Sequence, residues 1–96
     1  MKTIYISNEY GTDISSRTEA SRLRNEVIKI ACGPEAIARL DFGNVRTLSD
    51  SFADELFGVL VAQRGEGWFK SHVQVVNLSR IARQTILDAV QGRLHA

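Results

Sequence analysis

The 96-residue chain holds one cysteine, one proline, one methionine and one tryptophan. With Cys32 alone no disulfide can close within the chain, which suits a reducing compartment such as the cytoplasm. One cysteine and two distant histidines, His72 and His95, do not make the donor set of a structural zinc site. No linker, repeat or low-complexity segment breaks the chain, and Pro34 marks a turn inside it. No apolar run approaches the roughly 20 residues of a transmembrane helix. The opening MKTIYISNEYG lacks the apolar centre of a signal peptide. Excess charge of one sign is missing too. A net charge of +1 gives no general electrostatic hold on nucleic acid or an anionic membrane. Phosphate-binding GxxxxGK[ST], dinucleotide-binding GxGxxG and nucleophile-bearing GxSxG patterns are all absent. Neither histidine is set by its sequence position beside a serine or Cys32 as a base. An enzyme, a cofactor, a nucleic-acid partner and a membrane partner are therefore not expected.

What is present reads as an ordinary folded protein. Hydrophobic residues make up 44% and charged residues 24%, a balance that disordered chains do not have. At this length one domain over residues 1–96 is the natural reading. Such a domain buries roughly 60–70% of its unfolded surface, enough for one modest core.

Alternation of Ile4 and Ile6 with Thr3, Tyr5 and Ser7 predicts a half-buried strand. Asn8 to Ser15 carries Asn, Gly, Asp and Ser and reads as a loop. Ser16 with Glu19 forms a capping box. Ala20, Leu23, Val27, Ile30 and Ala31 follow at helical spacing, so a helix is expected from about Ser16 to Cys32. Gly33 fits a left-handed position past its end, Pro34 blocks continuation, and Cys32 is expected to pack. Ala38, Leu40 and Phe42 alternate with Arg39 and Asp41 as a second strand. A loop over Gly43 to Ser49 leads to a second helix, Asp50 to Gln63. RGEGWFKS reads as a loop by its glycines, with Trp68 and Phe69 folding back over the core edge. Val73 to Leu78 is a third strand. A third helix, capped by Ser79 or Asn77, carries Ile81, Ala82, Ile86, Leu87 and Val90. This βαβαβα order predicts an α/β fold: a small, largely parallel or mixed sheet joined by crossovers, in two layers. The mixed sheet face, with Tyr5, Arg39, Asp41 and Gln74, is left for water or a partner.

The stretch LSDSFADELFGVL concentrates polar chemistry at one helix start. Ser51 with Asp54 fits the Ser-x-x-Asp form of a capping box. The same hydroxyl is also a candidate phosphoacceptor, since a helix start is where backbone N–H groups favour an anion. A phosphate there would bring about −2 charge, which Asp50, Asp54 and Glu55 would repel. Both readings stand on the residues alone. Arg80, Arg83 and Gln84, like Arg17, Arg22 and Arg24, read as solvated helix faces.

RLDFGNVRTLSDSFADELFGVL resembles the central signature of a prokaryotic STAS-like family of uncharacterised function. Asp41-Phe42, Val45, Ser51-Phe52, Asp54-Glu55-Leu56 and Gly58 carry the match. The first strand, the helix start at Arg17 and Val75-Val76-Asn77 agree with it, so the resemblance covers nearly the whole chain. It implies a compact STAS-like fold related to the anti-sigma factor antagonists. In those, a serine or threonine after a strand-end Asp is phosphorylated by a partner ATPase of the histidine-kinase type, and phosphorylation breaks the complex. By placement the resemblance makes Ser51 the phosphoacceptor and Asp41 the strand-end Asp. It makes Ser49, Asp50, Asp54 and Glu55 a partner-binding surface. This chain reads Ser49-Asp50-Ser51-Phe52 where those proteins read Asp-Ser-Ser-Gly. The implied role is a cytoplasmic protein-interaction and signalling module. A nucleotide or small-molecule sensor and a self-associating structural module are the alternatives.

Overall fold

The computed structural model describes residues 1–95. Three strands, β1 (Lys2–Tyr5), β3 (Ala38–Asp41) and β5 (Val73–Val76), form a parallel sheet in that order. Register brings Ile4, Leu40 and Val75 into one row and Lys2, Ala38 and Val73 into another. Ile4, Ala38, Leu40 and Val73 are buried on that face. The alternate row of Thr3, Arg39 and Gln74 lies on the other face, where Tyr5 and Gln74 are exposed and Arg39 donates to Gln74. Period-two alternation thus gives one buried and one open face, and the helices cover the buried one. The fold is a mixed α/β domain with a small parallel sheet, as the βαβαβα order predicts.

Four long-range elements build the helical layer. Helix α2 (Arg17–Ile30) turns Ala20, Leu23 and Val27 into the core. Ser16 caps it, its Oγ accepting from Glu19 N at 3.2 Å. A central helix then runs without a break through α3 (Asp50–Ala53), a π-helical stretch (Asp54–Gly58) and α4 (Val59–Arg64). Phe52, Ala53, Leu56, Phe57, Leu60 and Val61 are buried along it. Helix α5 (Glu66–His72) follows, and after β5 comes α6 (Arg80–Leu94), capped by Ser79. Both α2 and α6 meet the central helix at its π stretch. Aromatic contacts tie the layers together: Phe42 lies 6.0 Å from Phe57, and Phe57 lies edge-on to Phe69 at 5.8 Å.

Several local expectations are corrected. Asn8 to Ser15 is not a plain loop: β1 stops at Tyr5, a short helix α1 (Ile6–Tyr10) follows, and β2 (Asp13–Ile14) comes next. Gly43 to Ser49 contains β4 (Thr47–Leu48), which pairs with β2 in parallel. Glu66 to Ser71 of RGEGWFKS is helical, as part of α5, because packing Trp68 and Phe69 against the core outweighs the helix penalty of Gly67, about 1 kcal/mol. Gly33 has no positive φ; the left-handed positions are Gly11, Gly65, Asn44 and Asn77. Cys32 is exposed and does not pack, since α2 ends at Ile30 and the chain turns outward.

Candidate functional site

The β2–β4 ladder fixes the start of two helices side by side. Ile14 pairs with Leu48, so the chain leaves both strands in the same direction and at the same level. Asp13 secures the ladder by accepting from Arg46 and Thr47, both at 2.8 Å. The Arg46 bond, then the Thr47 bond, holds the Asp13 carboxyl below its ordinary range. Ser16 and Ser49 then occupy equivalent cap positions two residues beyond Ile14 and one beyond Leu48.

This register decides which serine is the cap. Ser49 Oγ accepts from Phe52 N at 3.0 Å and donates to Ser15 O at 3.2 Å. The Ser51–Asp54 capping box is therefore not formed. Ser51 lies one turn position inside the helix, half-buried, and among the described residues its hydroxyl makes no hydrogen bond. It lines an open groove of about 370 Å³ between the start of the central helix and α6, with Arg17, Asp50, Asp54, Thr85 and Asp88. Asp50 is exposed at its rim.

Asp54 and Glu55 are engaged within the fold. Arg93 of α6 takes Asp54 with two parallel bonds, Nε to Oδ1 and Nη2 to Oδ2, each 2.8 Å. Arg17 of α2 adds a third bond to Oδ2 at 3.0 Å and reaches Glu55 Oε1 at 3.3 Å. Arg24 takes Glu55 Oε2 at 2.6 Å and also donates to the Glu55 backbone carbonyl. The π stretch makes this geometry. Val59 N–H reaches back five residues to Asp54 O, and from this turn Asp54 meets both α6 and α2 while Glu55 meets α2. Such stretches occur frequently at functional sites. Bonding to Arg93 above all, then Arg17, holds the Asp54 carboxyl at a pKa of about 2. Glu55 is lowered chiefly by Arg24.

Three arginines against two carboxylates leave this cluster with no excess negative charge. The repulsion that Asp54 and Glu55 would exert on a phosphate at Ser51 is therefore largely cancelled in place. Among the described residues, Asp50 and Asp88 remain as the carboxylates of the groove without an arginine partner.

The other motif residues have structural places. Phe42, Phe52 and Leu56 are in the core, and Phe52 meets Tyr10 edge-on at 6.5 Å. Gly58 is where α6 approaches: a Cβ there would stand 2.6 Å from Asp54 Oδ1 and 3.2 Å from Ala89 O. Asp41 ends β3 and accepts from Gly43 N at 2.8 Å and Asn77 Nδ2 at 3.0 Å. These bonds, Asn77 first, lower its pKa. Asp41 thus closes the β3–β5 strand ends and does not line the Ser51 groove. Among the described residues no group of His, Cys, Asp and Glu is arranged to hold a metal. No helix of the described residues is long and apolar enough to cross a membrane.

The arginine cluster and the groove residues of α6 are the parts that sequence reading missed. Their partners lie more than 30 residues apart in the chain. One local signal existed: Gly58 lies four residues after Asp54, a gap on the helix face that carries the acid.

A family model described as a STAS-like domain of unknown function (DUF4325) matches residues 19–81, from the first turn of α2 to the start of α6. No curated protein and no solved structure matches.

Proposed function

The chain belongs to the family of STAS-like domains of unknown function, and on that premise we propose that it is a regulatory module acting by binding another protein. The observation that carries this reading is the division of labour between two serines. Ser49 holds the helix start, so Ser51 is left with a hydroxyl that the fold does not use. It faces a groove walled by a second helix and rimmed by Asp50, Thr85 and Asp88. A surface polar on both walls and backed by an interlocked charge cluster is suited to a polar protein partner. Ser49 supports that surface from beneath, and Asp54 and Glu55 brace it through Arg17, Arg24 and Arg93. The lone exposed Cys32 suits the reducing cytoplasm as the place of action.

The finer reading is a switch. A partner ATPase of the histidine-kinase type phosphorylates Ser51, and the added charge releases the partner. Arg17 is the cation lining the groove and would turn from Asp54 to the phosphate, since a charge-assisted bond to a dianion is the stronger one. The test has two arms. Protein from the native host is weighed intact, before and after incubation with the co-purified ATPase and ATP. A Ser51-dependent gain of one phosphate supports the switch. No gain removes the switch and leaves the binding reading to stand or fall by partner capture with Ser51→Glu.

A further inference from the structure

A second groove lies on the opposite flank of α2 from the arginine cluster. Helix periodicity divides α2 into three faces: Ala20, Leu23 and Val27 enter the core, Arg17 and Arg24 meet the central helix, and Arg22, Glu26 and Lys29 line the other side. There they join Lys2 at the start of β1 and Tyr10 at the end of α1, around an open cavity of about 470 Å³ that Asn25 also borders. This volume lies within the roughly 300–1,000 Å³ range of small-molecule sites.

Two features mark this groove. Lys2, Arg22 and Lys29 converge on it, and none of them has a carboxylate within ion-pair distance among the described residues. By contrast, Arg17, Arg24 and Arg93 beside the central helix are each paired with a carboxylate. Glu26 is the one acid of the groove, and its Oε1 is shut off from solvent with no hydrogen-bond donor. A buried acceptor left without a donor is unfavourable, so it calls for a partner. Burial first, and the Glu26 charge next, push the Tyr10 phenol above its ordinary pKa, which keeps it a neutral donor.

We propose that this groove binds a small phosphate monoester carrying a free hydroxyl, such as a sugar phosphate. Three cations against one carboxylate match a dianion. Arg22 supplies a planar fork for the phosphate oxygens, and Lys2 and Lys29 add point charges. Asn25 and Tyr10 donate to the remaining oxygens. The ligand's hydroxyl donates to Glu26, whose carboxylate turns outward to receive it. No covalent step is involved.

The test is an amide-resolved NMR titration of the full chain with ribose 5-phosphate at low ionic strength, with inorganic phosphate as reference. The proposal expects saturable shifts confined to residues around Lys2, Tyr10, Arg22 and Lys29, with ribose 5-phosphate bound more tightly than phosphate. Arg22→Ala with Lys29→Ala, both exposed positions, should weaken binding about tenfold or more. Glu26→Ala should abolish the preference for the hydroxyl-bearing ligand while retaining binding of phosphate. Three outcomes overturn it: no saturable response at millimolar ligand, equal shifts at remote cations such as Arg80 and Arg83, or co-sedimentation with phosphatidate vesicles in the absence of any response to ribose 5-phosphate. Unchanged amide spectra of the variants without ligand show that they are folded.

Discussion

Arg93 holds Asp54 by both ends of its guanidinium fork, Nε on Oδ1 and Nη2 on Oδ2, across the seam between α6 and the central helix. The pair is 39 residues apart in the chain, and Arg17 from α2 shares the same carboxylate. One side chain thus ties three helices. Asp54→Asn keeps the shape but removes the charge, and it is expected to cost about 1–3 kcal/mol. Urea unfolding of Asp54→Asn, Arg93→Ala and the double variant checks this. A coupling energy near zero would mean that the fork is a surface pair of the kind worth little.

Acid should loosen the same seam. The folded Asp54 has a pKa of about 2 against an ordinary value of 3.8. A carboxyl whose folded pKa is depressed contributes stability above its unfolded pKa and loses it as pH falls toward the folded one. The loss should therefore fall between about pH 4 and pH 2, and after discounting for solvent it amounts to roughly 1–2 kcal/mol. Chemical unfolding at several pH values reads it. In Asp54→Asn this part of the pH dependence should disappear, while the lowered Glu55, Asp41 and Asp13 keep a smaller slope of the same sign.

Two glycines should respond to alanine with opposite signs. At Gly58 a Cβ meets Asp54 Oδ1 at 2.6 Å and the Ala89 carbonyl at 3.2 Å, and backbone cannot step aside cheaply. Gly58→Ala is expected to destabilise by about 1–3 kcal/mol despite alanine's better helix propensity. At Gly92, in α6, the added carbon meets nothing within 4 Å, so Gly92→Ala should stabilise by about 0.5–1 kcal/mol. Thermal unfolding of the two variants beside the parent checks both signs.

The two serines should separate as well. Ser49→Ala removes the cap from Phe52 N and the bond to Ser15 O, for a loss of about 1 kcal/mol. Ser51→Ala removes a hydroxyl that bonds to nothing and should stay within about 0.5 kcal/mol of the parent. Equal losses at the two positions would restore Ser51 as a structural residue.

The strands and long helices were readable because periodicity reports burial directly: Ile4, Ala38 and Leu40 alternate, and Ala20, Leu23 and Val27 follow the helical repeat. Helix α5 was not, because Gly65 and Gly67 signal a loop while the packing of Trp68 and Phe69 is decided by distant residues. The two-residue strands β2 and β4 are too short to carry a period at all. The choice of cap turned on them. Both Ser49 and Ser51 satisfy local capping rules, and only the pairing of Leu48 with Ile14 sets where the helix must begin. Helical spacing placed Asp54 and Glu55 on the right helix. Their arginine partners lie on other elements, and nothing in the local pattern names them.

The account rests most heavily on the groove beside Ser51 as a partner surface, so partner capture under matched stability tests it most directly. Tagged parent, Ser51→Glu, Asp50→Arg and the remote control Arg80→Glu are each expressed in the native host, recovered, and checked for equal thermal unfolding. The account predicts one stoichiometric protein partner, retained by the parent and by Arg80→Glu and lost from Ser51→Glu and Asp50→Arg. A partner held equally by all four, or none held by the parent, would contradict it.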